Sequence, residues 1–167
     1  MTDDALTTRD PIQLTGVLAD RSVWRTGACP AAAALDVIGT RSALLIMREA
    51  LYGTTRFDDF AARVGITEAV AAARLRELTD AGLLVRTPYR EPGQRTRHEY
   101  RLTEMGADTG PVVLALYDWG AKYLRDRAPI DFTHRGCGAP VHVETVCDDG
   151  HRVTTGDVVA TAAPRRR

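Results

Sequence analysis

Residues 65–78 read GITEAVAAARLREL, with apolar positions at helical spacing and mostly alanine between them. On a wheel of about 3.6 residues per turn, Ala71, Leu75 and Leu78 share one face. Ala69, Ala72, Ala73, Arg76 and Asp80 share the opposite one. The pattern predicts a helix over 68–80, capped by Thr67 and stopped at Gly82. Upstream, TTRFDDFAARV (54–64) sets Phe57, Phe60 and Val64 on one side of another helix, and GIT makes a tight turn between the two. SALLIMREALY (42–52) is apolar nearly all round, as a central core helix should be, with Ser42 as its cap and Gly53 as its stop. PAAAALDVI (30–38) predicts a short helix with Cys29 at the cap and Pro30 at the first helical position, where its missing N–H does no harm.

Beyond Gly82 the period falls to two. LLVRTPY (83–89) and RHEYRLT (97–103) alternate as strands, and REPGQRT (90–96) carries the Pro-Gly of a hairpin tip. A long helix follows over about 104–127, bent near Gly110 and Pro111. It has two apolar stripes, Leu116, Trp119 and Tyr123, then Val113, Tyr117 and Leu124. One serves a core; the other is surplus, and surplus apolar surface marks a partner. The expected fold is mainly α with a small β-hairpin wing, a winged helix-turn-helix. Three parts follow: an N-terminal arm (1–28), a DNA-binding and dimerisation domain (29–127), and a short irregular or β C-terminal extension (128–167).

Composition narrows the function. Net charge is zero over 167 residues, which argues against non-specific nucleic-acid adhesion. Its distribution matters more. Residues 1–20 hold one Arg against four acids, whereas 84–101 hold five Arg against Glu91 and Glu99. Lys122 is the only lysine; a GC-rich genome accounts for most of this preference for arginine, though not for where the arginines sit, and arginine suits planar contacts to phosphate and guanine. No apolar run reaches the roughly 18 residues of a membrane span. The acidic N-terminus lacks the apolar core of a signal peptide, so a cytoplasmic location is expected. No Ser/His/Asp set, paired carboxylates or phosphate-binding glycine loop stands out, which argues against an enzyme.

In a helix-turn-helix the second helix enters the major groove. Small alanines at 69, 72 and 73 permit close approach and contact with thymine methyls, while Arg76 and Thr67 donate to phosphate or base. Arg56 precedes the first helix of the pair. Arg90, Gln94, Arg95 and Arg97 crowd the hairpin tip, with His98 nearby, as a wing over phosphates or the minor groove requires. These are the expected DNA-binding residues. The alternative is a plain amphipathic helix and a solvated loop on a protein-interaction module that has lost strong DNA binding.

The motifs CP (29–30), LDVIGTR (35–41), LLIMREALYGTTRFDDF (44–60), GIT (65–67), RLRELTDAGLLVR (74–86), YR-x-P (89–92), YRLTEMG (100–106) and the tryptophan of LYDWG (116–120) occur in one order. With them the chain resembles the HxlR-type, MarR-related winged-helix bacterial transcription regulators, over roughly residues 29–125. The resemblance implies a homodimer held by N- and C-terminal helices on a pseudo-palindromic DNA operator. It also implies a repressor rather than an activator. The chain departs from that pattern at Ser42, where a tryptophan is usual, at Ala71, where a leucine is usual, and at Ala69 and Ala73, where polar residues are common. The last two shift weight from base contacts to the wing and DNA shape.

Cys29 aligns with a cysteine that some relatives use as a thiol sensor. Thiols at helix N-termini are favoured as the reactive thiolate; a small buried residue at a helix start is the alternative. Trp24, Tyr117, Trp119 and Tyr123 are candidates for either a small-molecule effector pocket or the dimer core. His134, Cys137, Cys147 and His151 carry four N/S ligands at a spacing that permits a tetrahedral zinc site. A Cys-x2-Cys knuckle would need cysteine at 150, where Gly150 stands, so the expectation is a β appendage without zinc or any other cofactor.

Overall fold

The computed structural model describes residues 8–24, 29–90, 93, 96–124 and 128–163. The chain divides into two units, residues 27–143 and residues 1–26 with 144–167.

The larger unit opens with α1 (Pro30–Ile38), α2 (Arg41–Leu51), α3 (Phe57–Val64) and α4 (Glu68–Asp80). Thr40, not Ser42, caps α2: its hydroxyl accepts from the Ala43 amide at 3.2 Å. Ile46 and Met47 of α2, Phe60 of α3, Leu75 and Leu78 of α4, and Leu84 are completely buried together. Glu49 lies in this core without being stranded. Arg48 donates to its Oε1 through Nη2 at 2.6 Å and through Nε at 3.2 Å, and the Thr54 hydroxyl lies 3.4 Å from Oε2. A buried carboxylate survives only with such partners.

The helix expected over 54–64 begins later, at Phe57. Thr54, Thr55 and Arg56 run extended instead: Arg56 pairs with Glu99, and the Tyr100 amide donates to the Thr55 carbonyl at 2.8 Å. Two β-branched threonines beside a free sheet edge gain more from that edge than from one further helical turn. The wing is the antiparallel pair β2 (Leu84–Tyr89) and β3 (Arg97–Leu102), in register from Leu84↔Leu102 to Tyr89↔Arg97. β2 is the outer strand, which is why it tolerates Pro88. Phe60 meets Tyr100 edge to face at 6.3 Å, fixing α3 to the wing.

The expected single long helix is two, α5 (Glu104–Ala107) and α6 (Gly110–Tyr123), with Pro111 in the first turn of the second. Thr103 starts α5 and locks it down, donating to the Gly82 carbonyl at 2.6 Å and accepting from the Gly106 amide at 3.0 Å. Gly106 is there for space: a Cβ would stand 2.0 Å from the Leu83 carbonyl oxygen. Residues 125–127, the end of the expected helix, lie outside the described residues.

In the smaller unit β1 (Gln13–Leu14) pairs in parallel with β4 (Val159–Ala160), so the arm folds with residues 144–167, while residues 128–143 of the expected extension belong to the larger unit. Sequence pattern did not indicate this pairing. A capping box closes the turn before β4: the Thr154 amide and hydroxyl both donate to Asp157 Oδ2 at 2.7 Å, and these bonds hold the Asp157 carboxyl below the usual carboxylate range.

Candidate nucleic-acid interface

The turn between α3 and α4 rests on Gly65, whose φ of 69° is left-handed backbone that suits glycine. Thr67 then caps α4 by accepting from the Val70 amide at 3.3 Å. Ala71, Leu75 and Leu78 turn inward as the wheel predicts. Ala69, Ala72, Arg76 and Asp80 are exposed, and Ala73 is half-buried. The outward face is therefore low and carries one long cation, Arg76. Its neighbour Arg74 is tied to Glu77 on the same helix.

The wing is anchored to the far end of that helix. The Leu83 amide donates to the Leu78 carbonyl at 2.9 Å, and the Thr103 amide to the Leu83 carbonyl at 3.1 Å. Arg90 and Arg97 are exposed beside the tip; Gln94 and Arg95 lie outside the described residues. Arg56 is drawn onto the tip end of the wing, its guanidinium 3.3 Å from the ring centroid of Tyr89, the last residue of β2, a stacking that arginine's flat cation favours. A cleft of about 730 Å³ opens here, lined by Arg56, Asp59, Arg86, Tyr89, Arg97 and His98 among others.

Arg86, one of the five arginines of 84–101, is not among the expected DNA-binding residues. Its Nη2 lies 2.9 Å from His98 Nδ1. Arginine can only donate, so Nδ1 is the acceptor of this contact. The signal was present in the alternation, since Arg86 and His98 take the Tyr100 side of the hairpin.

The candidate aromatics separate. Tyr117 turns to the segment after α6: its hydroxyl donates to the Ile130 carbonyl at 2.6 Å and accepts from the Ile130 amide at 2.9 Å, and its ring meets Phe132 at 4.9 Å. Trp119 and Tyr123 stand side by side at 5.9 Å on the outer stripe of α6. That stripe is open: Val112 is 47 % exposed, Leu116 50 %, Trp119 55 % and Tyr123 61 %. Of the other stripe, Val113 is buried and Leu124 is exposed. Trp24 belongs to the smaller unit, where its Nε1 donates to the Leu18 carbonyl at 3.1 Å and Arg21 covers its ring at 4.3 Å. Cys29 is exposed at the cap of α1. His134 pairs with Cys137 and Cys147 with His151, each within its own hairpin tip. Among the described residues no three His, Cys, Asp or Glu side chains gather as a metal site.

The model of the HxlR-like helix-turn-helix family matches residues 37–128, from the end of α1 past the end of α6. The chain belongs to the HxlR-like helix-turn-helix family. An uncharacterized HTH-type transcriptional regulator of Mycobacterium tuberculosis is 37% identical over 134 residues, 78% of this chain and 84% of the relative. YdeP of Bacillus subtilis, also an uncharacterized HTH-type regulator, is 35% identical over 59% of this chain and 76% of its own. Among solved structures, PA1607, described as a candidate transcription factor, superposes with a TM-score of 0.72 at 33% identity, covering 84% of this chain and 97% of that one. The redox regulator HypR superposes in its reduced form with a TM-score of 0.51 at 32% identity, over 56% of this chain and 92% of its own. In its oxidized form the values are 0.52 and 33%, over 59% and 99%. The protein is thus a DNA-binding transcriptional regulator of HxlR type. Among the described residues no single helix is long and apolar enough to cross a membrane.

Proposed function

We propose that this HxlR-type regulator is a homodimeric repressor that sets one α4 helix into each half-site of a pseudo-palindromic operator. The observation that carries the reading is the low, exposed face of α4 with Arg76 at its centre, next to a wing fixed to the same helix. Arg76 and Thr67 reach phosphate or base edges; Ala69, Ala72 and Ala73 allow the backbone close; the wing's Arg90, Gln94, Arg95 and Arg97, together with Arg56, serve the flanking backbone or minor groove. Two copies meet along the exposed stripe of α6, with Trp119 and Tyr123 in the joint.

The test is fluorescence anisotropy with the gene's own upstream duplex against a scrambled one, across a salt series. Sequence-preferring binding with a steep salt slope is expected, each neutralised phosphate adding roughly 0.9 to the slope. Arg76→Ala is expected to weaken binding by about 1–3 kcal/mol per half-site, roughly 5- to 150-fold each, with the urea midpoint unmoved. The wing change Arg95→Ala should also weaken binding. Unchanged affinity in both variants would remove these residues from the interface.

The likeness to HypR, a redox regulator solved in two oxidation states, supports a thiol response. Cys29 is the thiol in position for it, exposed at the start of α1 with no side-chain cap bond of its own. Cys29→Ser is expected to abolish any loss of DNA binding caused by peroxide or diamide. A response that persists in this variant would exclude Cys29.

A further inference from the structure

Cys137 and Cys147 sit at the tips of two short hairpins, and each tip is built to bring a histidine against its thiol. In the first, Thr133 pairs with Pro140, and the amides of Cys137 and Gly138 both donate to the His134 carbonyl, at 3.3 and 2.7 Å. Gly138 turns the chain with φ 70°. The result is His134 Nδ1 at 3.2 Å from Cys137 Sγ. In the second, Val146 pairs with Arg152, the Cys147 amide donates to the His151 carbonyl at 3.0 Å, and the Gly150 amide to the Cys147 carbonyl at 2.8 Å. Gly150 has φ 82°, and His151 Nδ1 stands 3.4 Å from Cys147 Sγ. The glycine that denied a Cys-x2-Cys knuckle is what allows this turn.

The same two atom types therefore meet twice, by different spacings, at nearly one separation. A tetrahedral zinc ion with S at about 2.3 Å and N at about 2.0–2.1 Å requires an N···S separation of roughly 3.5 Å. Both pairs lie within a few tenths of an ångström of that bite. All four residues are exposed, so neither pair is there to fill a core. Backbone hydrogen bonds hold both turns, so little ordering is needed to chelate. Thiolate with imidazole selects zinc and its neighbours over magnesium or calcium. Asp148 and Asp149 add negative charge to the second tip, while Arg135 opposes a cation at the first.

We propose that the two hairpin tips are half-sites for a thiophilic divalent cation, zinc by chemistry. Each supplies one thiolate and one imidazole, the remaining positions being filled by water or further ligands. On binding, each thiol gives its proton to solvent and its sulfur becomes the metal ligand.

The experiment is a titration of the reduced full chain with cobalt(II), followed in the near ultraviolet, with zinc(II) then added in competition. A thiolate-to-cobalt charge-transfer band is expected, and zinc should extinguish it. Cys137→Ser and Cys147→Ser should each lower the band, and together remove it. His134→Ala and His151→Ala should each weaken cobalt binding by roughly tenfold or more, since even outer-shell losses cost that much. Cys29→Ser should leave the band unchanged. No band in a large excess of cobalt, a band that survives loss of both Cys137 and Cys147, or one carried by Cys29 overturns the proposal. A band undiminished by one of the two substitutions removes that tip.

Discussion

Trp119→Asp is expected to turn the proposed dimer into monomers and to lower operator affinity by about 10²–10⁴-fold, the advantage of joining two binding modules. Val112, Leu116, Trp119 and Tyr123 follow one another at steps of four, three and four along α6, a continuous stripe on the helix face that the chain leaves open. Tryptophan and tyrosine are the side chains most often found to dominate an interface. A carboxylate at the centre of that stripe must be desolvated with no partner if two copies are to close over it. The exposed position means that the substitution leaves the monomer's own core intact. Sedimentation equilibrium and operator anisotropy on one preparation check it. A variant that stays dimeric with wild-type affinity would move the joint away from α6.

Phe60→Ala is expected to cost the winged unit about 3–5 kcal/mol. The ring is fully buried, touches the core of α2 and α4, and closes edge to face on Tyr100, a pairing worth roughly 0.5–1.5 kcal/mol of that sum. Against a total stability of about 5–15 kcal/mol this is a large share. It corresponds to a fall in melting temperature of roughly 10–30 °C. Urea unfolding gives the number, and a loss below about 1 kcal/mol would contradict the packing described. DNA binding should fail with folding, whereas Arg76→Ala loses binding with folding intact; the pair separates the two kinds of defect.

Much of the fold was legible because its signals are local. Thr67, the apolar face of α4, Gly82 and the alternating strands each sit within a few residues of the feature they produce. The misreadings came from distance or from near-equivalent signals. Thr54–Arg56 continued a helical pattern but were captured by β3, some forty positions away. Thr40 and Ser42 are both good caps, and only the chain direction entering α2 chooses between them. Pro111 alone predicts a bend, but with Thr103 locking α5 onto Gly82 the helix breaks there. The stacking of Arg56 on Tyr89 and the two Cys–His bites depend on how turns are folded, which spacing alone does not encode.

The pairing of β1 with β4 has a consequence in time. Thr15 and Ala160, bonded through the Thr15 amide at 3.1 Å, are 145 positions apart. At synthesis rates of roughly 5–20 residues per second, β1 leaves the ribosome some 7–30 s before its partner strand exists. The winged unit has everything it needs to close during that wait. The arm does not, and spends the interval open to proteases and chaperones.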